Sequence, residues 1–247
     1  MARTLILTGA SRGIGRALAL ALSQAGVQLV LNARSEPELS ASANLVKARG
    51  GQALALAGDC SHGDVAQNLV SAAQDLGGFY GFIHCAGVLH PGPLLSELPE
   101  SEFREIIDSH LTAAYQLLRF SVPALETAQA GLAVFFGSGL AERPGVGTAA
   151  YAIAKAAEEH LMRQVALELP WLTTLVYRPG VVETKMQQDS RTTQRGGGAA
   201  EVRRVFGGYQ SRLATPEQAA QALVRILAEP QKFRGKIATI ADGQEKK

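Results

Sequence analysis

Tyr151 and Lys155 stand four apart in the stretch YAIAK, separated only by small or apolar residues. On a helix, residues i and i+4 share a face. A phenol held beside an ammonium either decorates a solvated surface or has its pKa lowered for proton transfer. Upstream, TGASRGIG at 8–15 joins a short apolar run to a helix-like segment. Gly9, Gly13 and Gly15 allow a tight turn and close backbone approach. With Ser11, Arg12 and Ile14 they form a loop before a helix N-terminus, whose unpaired N–H groups suit a pyrophosphate. The same glycines would also serve a plain turn with helix–sheet contact. Their place at the first strand–helix junction favours dinucleotide binding. The loop lacks the Gly-Lys-Ser/Thr ending of nucleotide-triphosphate sites.

The end of the second strand discriminates between cofactors. An acid there would accept bonds from the ribose hydroxyls of NAD. This chain has Ala33 and then Arg34, with Arg12 in the glycine loop. Two guanidinium groups suit a 2′-phosphate, and the expected cofactor is NADP. Read blandly, both are solvated surface arginines. Asp59, beyond the third strand, is placed either to accept from an adenine amino group or to close an Asx-turn. Cys85, Ala86 and Gly87 end the fourth strand, where small residues let the backbone approach a cofactor.

These residues need a scaffold. Apolar runs at 4–7, 27–32, 53–57, 81–85, 132–137, 172–177 and 236–240 read as strands. Helix-like segments lie between them at 14–26, about 36–49, 62–75, 100–128, up to about 168, and 216–228. Seven strand candidates alternating with helices predict an α/β fold, a Rossmann-type doubly wound parallel sheet with helices on both faces. Such sheets bind ligands beyond the carboxyl ends of their strands. The 247 residues fit a single domain over 1–247, and 47% apolar residues supply a sizeable core. A net charge of +2 with scattered basic residues gives no nucleic-acid signal. No stretch approaches the roughly 18 apolar residues of a membrane span. Only two cysteines, 60 and 85, argue against a disulfide framework, and a cytoplasmic location is expected. The histidines show no familiar metal-ligand spacing, so no metal site is expected.

Together, TGASRGIG, Asp59, CAG, Ser138, YAIAK and RPGVVET at 178–184 make the chain resemble the classical short-chain dehydrogenase/reductases over nearly its full length. The 13 residues from Ser138 to Tyr151 are typical of that family. The resemblance implies strand order 3-2-1-4-5-6-7. It implies that Tyr151 donates a proton to a reduced carbonyl. Lys155 then lowers the phenol pKa and binds the nicotinamide ribose, and Ser138 holds the substrate oxygen. Thr184 would bond the nicotinamide carboxamide, with Pro179, Gly180 and Val182 shaping the backbone beside it. Two positions depart from the family. Cys85 stands where asparagine is usual, and a thiol cannot reproduce amide bonds. His110 stands where an asparagine usually supports a water on the proton path. Its ring either supports that water or is a packed, satisfied histidine.

The region 185–212 occupies the place of the family's mobile substrate lid. Gly196, Gly197 and Gly198 read as a hinge or a loose turn, Met186 as a pocket residue, and Gln187 and Gln188 as lid surface. The wording YRPGVVETKMQ resembles the sepiapterin-reductase and benzil-reductase branch, implying a small ketone or diketone substrate. ASRGIG and ADG resemble the 3-oxoacyl-carrier-protein reductases, for which Arg203 and Arg204 would contribute to a docking patch. A non-catalytic dinucleotide-binding protein is the remaining alternative. By family resemblance the expected assembly is a homodimer or homotetramer.

Overall fold

The computed structural model describes residues 3–244. The strands are β1 (Thr4–Thr8), β2 (Gln28–Ala33), β3 (Ala53–Ala57), β4 (Phe79–His84), β5 (Gly131–Phe136), β6 (Leu172–Arg178) and β7 (Lys236–Thr239). The helices are α1 (Gly13–Gln24), α2 (Glu36–Ala48), α3 (Gly63–Asp75), α4 (Glu100–Ile107), α5 (Ala113–Glu126), α6 (Ala149–Glu168), α7 (Lys185–Thr192), α8 (Ala199–Gly207) and α9 (Pro216–Ala228). The strands form one sheet in the order β3-β2-β1-β4-β5-β6-β7, with every pairing parallel. This is the expected Rossmann-type α/β architecture.

Parallel strands covered on both faces must be apolar at successive positions. In β1, Leu5 and Leu7 face a core shared with α1, α2 and α9, whereas Ile6 faces one shared with α3, α5 and α6. The alternation continues across the sheet, with Leu29 and Leu31 on the first face and Val30 on the second.

The chain leaves β3 at one edge and returns to pair β4 with β1. The strand order therefore reverses beside β1, and the carboxyl ends of β1 and β4 flank a crevice. Thr8 and His84 pin it. The Thr8 hydroxyl oxygen accepts from the amides of Cys85 and Ala86, each at 3.2 Å. The His84 ring bridges Thr8 Oγ1 at 2.9 Å and the Ser109 carbonyl at 3.1 Å. A carbonyl only accepts, so Nε2 carries the ring hydrogen and Nδ1 accepts from the threonine.

The long helical segment after β4 is not uniform. Asp108–Thr112 forms a π-helical turn between α4 and α5. The polar stretch after β6 also folds, as α7 and α8. Thr184 starts α7 by accepting from the Gln187 amide at 3.4 Å.

Candidate active site

Every catalytic and cofactor-binding candidate named from the sequence lines one cleft of about 1330 Å³ at the carboxyl end of the sheet, whereas Gln188, Gly196, Gly197, Gly198, Arg203 and Arg204 do not. At its glycine-loop end, α1 begins without a side-chain cap after Arg12. Its first N–H groups are therefore left for an outside acceptor. A β-carbon on Gly9 would lie 2.8 Å from the Ala86 backbone, and one on Gly15 would lie 2.1 Å from the Gly9 carbonyl oxygen. Gly9 also has φ +68°. Side chains at these two positions would collide with backbone, so both glycines let the loop pack tightly on itself and on the end of β4. Gly13 brings the loop toward the far wall, its β-carbon position 3.5 Å from Thr184 Cγ2.

Arg12 is exposed, and Arg34 beyond β2 is half-exposed. Arg34 Nη1 donates to Glu105 at 2.6 Å. That pair holds the Glu105 carboxyl below its ordinary value. Ala33 is buried, and the end of β2 carries no acid. Asp59 forms the Asx-turn, its Oδ1 accepting from the Ser61 amide at 3.0 Å and from the Ser61 hydroxyl at 2.7 Å. Burial raises the Cys85 thiol to about 12, so it stays protonated.

The opposite wall carries the phenol and ammonium. Tyr151 and Lys155 share one face of α6, with Lys155 Nζ 5.9 Å from the Tyr151 ring centroid. Lys155 is buried and donates to the Phe136 carbonyl and to Glu158 Oε2, both at 2.6 Å. Burial opposes its charge, but Glu158 and Tyr151 together hold its pKa above the ordinary value. The ammonium is therefore the resting form near neutrality. For Tyr151, burial outweighs the downward pull of Lys155 and Ser138, so the phenol pKa lies above its ordinary value. The expected lowering by Lys155 is present as a pull but is not the net result.

Ser138 follows β5 and caps a short 3₁₀ turn, accepting from the Leu140 amide at 3.2 Å. Its own amide donates to Glu159 Oε1 at 3.3 Å. Glu159 also accepts from Arg178 Nε at 2.8 Å and Nη2 at 2.6 Å. Strand β6 and helix α6 are thus tied together beneath the serine. Sequence reasoning did not find Glu158, Glu159 or Arg178 as site residues. Their signal was spacing: Tyr151, Lys155, Glu158 and Glu159 recur at i, i+4, i+7 and i+8, the period of one helix face.

His110 is buried and sits edge-on to Tyr151 with ring centroids 5.2 Å apart. Its Nε2 meets the Val88 carbonyl at 2.9 Å, while Nδ1 has no hydrogen-bond partner. It is packed but not satisfied. Among the described residues no group of acidic, histidine or cysteine side chains could hold a metal.

Several residues of the 185–212 region, among them Met186, Thr193 and Phe206, line the cleft. Met186 lines the cleft as expected, but Gln187 is not surface. It is buried, donating to the Phe206 carbonyl at 3.4 Å, because α8 folds over α7. Gly196–Gly198 pack closely rather than swing loosely. A β-carbon on Gly196 would come within 2.4 Å of Pro93 Cα, and the Gly198 amide donates to the Gly92 carbonyl at 2.9 Å. Arg203 and Arg204 are both engaged locally, with Gln194 at 3.1 Å and Glu201 at 2.6 Å.

A family model described as short chain dehydrogenase matches residues 3–195. The chain belongs to that family. A short chain dehydrogenase of Pseudocercospora fijiensis is 32% identical over 188 residues, 74% of this chain and 61% of the relative. The NADPH-dependent pterin aldehyde reductase of Arabidopsis thaliana is 27% identical over 186 residues, 75% of this chain and 77% of the relative. Among solved structures, an alcohol dehydrogenase of the archaeon Thermococcus sibiricus, complexed with 5-hydroxy-NADP, matches with a TM-score of 0.82 and 25% identity, covering 100% of both chains. That family is one of oxidoreductases, and none of the described helices is long and apolar enough to cross a membrane.

Proposed function

We propose that this short chain dehydrogenase is an NADP(H)-dependent reductase of a small ketone, diketone or related activated carbonyl, with Tyr151 as proton donor. The observation that carries this reading is the single cleft with two chemically distinct ends. One end holds an uncapped helix N-terminus, two arginines and no acid at the end of β2. The other holds Ser138, Tyr151 and a buried cationic Lys155. The NADPH dependence of the Arabidopsis relative and the NADP analogue in the Thermococcus structure support the cofactor assignment.

The glycine loop fits a dinucleotide, because the first N–H groups of α1 carry no side-chain cap and Gly9, Gly13 and Gly15 line the cleft there. The glycine loop from Gly9 to Gly15 and the amides of α1 would hold its pyrophosphate. Arg12 and Arg34 would hold the 2′-phosphate, with Arg34 exchanging its bond to Glu105 for the new anion. Cys85, Ala86 and Gly87 would face the cofactor through backbone atoms. Pro179, Gly180, Val182 and Thr184 would border the nicotinamide. When bound, the cofactor supplies the hydride.

The protein's own part is electrostatic and positional. As hydride reaches the carbonyl carbon, negative charge grows on oxygen, and donors aimed at that oxygen stabilise the transition state. Ser138 orients the carbonyl oxygen by hydrogen bonding. Tyr151 gives that oxygen its phenolic proton. Lys155 offsets the charge left on the phenolate, a contribution that is large because the ammonium is buried. The helices α7 and α8 act as a lid that limits water at the reacting atoms. The reading carries a cytoplasmic setting, in keeping with free thiols at Cys60 and Cys85, and a homodimer or homotetramer.

A screen of NADPH oxidation against diketones, pterins and acyl thioesters, with chelator present, tests the proposal. Turnover of a diketone or pterin carbonyl is expected without metal. Turnover confined to acyl thioesters would transfer the reading to 3-oxoacyl-carrier-protein reduction. Tight NADPH binding with no turnover across the panel would indicate a dinucleotide-binding protein.

A further inference from the structure

Behind Lys155 lies a buried group that the reaction described above does not use. Glu158 follows Lys155 by one turn of α6, with its side chain 1% exposed. Its Oε2 accepts from Lys155 Nζ at 2.6 Å and lies 3.8 Å from His110 Nδ1. Its Oε1 has no hydrogen-bond partner, and neither has His110 Nδ1.

The protonation of the histidine follows from its other contact. The Val88 carbonyl can only accept, so Nε2 must carry the hydrogen that bridges their 2.9 Å separation. Burial, with the charge of Lys155, holds His110 well below the ordinary imidazole value. The ring is therefore neutral, and Nδ1 presents only a lone pair. Facing it is Glu158. An ionised carboxylate would set acceptor against acceptor in a buried space, an arrangement that costs free energy. A protonated carboxyl would donate toward Nδ1 while still accepting from Lys155.

The surrounding groups leave Glu158 as the one able to change charge near neutrality. From β4 and its end, His84 is held down to about 3 and Cys85 up to about 12. On α6, burial raises the Tyr151 phenol, and Glu159 is committed to Arg178 at 2.6 Å. The Phe136 carbonyl fixes Lys155 from β5. For Glu158 itself, burial outweighs Lys155 and lifts the carboxyl to about 7.

We propose that Glu158 and His110 hold an exchangeable proton behind Lys155, making Glu158 a positioning residue that sets the charge and pose of the ammonium. This inference rests on the role given to Lys155 above. The step balances as proton movement alone. After Tyr151 has protonated the substrate oxygen and drawn a proton from the lysine, the Glu158 O–H breaks and an N–H forms on Nζ. Ammonium and carboxylate result, and a solvent proton restores the carboxyl once product has left. No electrons move in this exchange.

Infrared difference spectra of the free protein across neutral pH provide a readout that needs no substrate. The expected result is a protonated-carboxyl C=O band, sensitive to deuterium, that titrates near neutrality and is absent from Glu158→Gln. Ring ¹⁵N resonances should show His110 as the neutral Nε2–H tautomer. With a turned-over carbonyl, Glu158→Gln should lower kcat at least about tenfold and abolish the near-neutral inflection of its pH profile, leaving KM nearly unchanged. Glu158→Asp should restore the inflection. A carboxyl that stays ionised down to its ordinary range overturns the inference, as does a Glu158→Gln profile that superimposes on the wild type. Should no carbonyl be turned over, the functional reading fails, and the infrared titration still decides the proton pair. Should Glu158→Gln not fold, the wild-type band and its pH response decide it.

Discussion

Gly87 and His110 touch so closely that a β-carbon at position 87 would stand 2.0 Å from His110 Cε1. The glycine ending the CAG stretch is therefore fixed by a ring on the π turn as well as by the cleft beside it. Gly87→Ala must displace either that ring or its own backbone. Overpacking of this kind costs about 1–3 kcal/mol. Denaturant titration should show that loss, and the His110→Ala background should remove most of it. An equal loss in both backgrounds would place the strain elsewhere.

The Glu159–Arg178 pair should contribute to both stability and serine placement. Glu159 is buried, and Arg178 grips it through two nitrogens at 2.8 and 2.6 Å. Removing one partner leaves the other charge uncompensated, a change worth about 3–5 kcal/mol. Arg178→Met should therefore be more damaging than the double change Arg178→Met, Glu159→Leu. Because Glu159 also accepts from the Ser138 amide at 3.3 Å, Glu159→Gln should raise KM for a carbonyl substrate as well as lower stability. Thermal unfolding and steady-state kinetics on the same variants check both effects.

His84 gives the fold an acid-sensitive element. Burial, with help from Lys155, holds its pKa at about 3, against 6.5 for the unfolded chain. Below 6.5 the unfolded chain binds a proton that the folded chain refuses until about 3. The neutral ring's contribution to stability is thus whole above 6.5 and is lost as pH falls through that window. Chemical denaturation between these limits should show a slope steeper by about one proton than that of His84→Gln. Parallel slopes would show that the ring takes up a proton within the fold.

NADPH should bind more tightly than NADH, and the preference should depend on salt. Arg34 already satisfies a carboxylate at 2.6 Å from an exposed position, so the phosphate must compete with Glu105. Glu105→Gln should accordingly strengthen NADPH binding, by a factor of several, with little change for NADH. The double change Arg12→Ala, Arg34→Ala should chiefly weaken NADPH. Fluorescence titrations of both cofactors at two ionic strengths provide the check. Equal affinities for the two cofactors in the wild type would remove the phosphate assignment.

How far the sequence exposes this site depends on what each feature writes into it. Parallel strands such as Leu29–Ala33 are covered on both faces, so they appear as apolar runs, and the seven runs match the seven strands to within about two residues at either end. The glycine loop and YAIAK are legible because each needs particular residue types at fixed spacing. The π turn at Asp108–Thr112 is not, since one wider turn inside a helix leaves no local signature. The helices α7 and α8 hide in a polar segment that reads as loop, although Thr184 followed by Gln187 carries the spacing of a helix start. Glu158 and Glu159 are the deeper omission. Charged residues on a helix ordinarily mean a solvated face, and only their alignment with Tyr151 and Lys155 signals that this face is buried.

Tyr151→Phe isolates the proton from the packing. The ring contact with His110, 5.2 Å between centroids, survives the change, as does most of the wall of the cleft. What disappears is the acidic hydrogen and its interaction with Ser138 and Lys155. NADPH affinity should remain close to wild type, while turnover falls at least about 10²-fold, the loss expected for a positioned acid. Lys155→Ala should differ in kind. It removes the cation that pulls the phenol pKa down against burial, and it leaves Glu158 and the Phe136 carbonyl without their donor. Turnover and cofactor affinity should then fall together, and the fold should weaken. Single-turnover measurements with saturating cofactor separate the two variants, with circular dichroism as the control for folding. A Tyr151→Phe enzyme with an unchanged chemical step would show that the oxygen of the substrate is protonated by another group. It would leave the phenol and ammonium of YAIAK as neighbours on a helix face without a shared reaction.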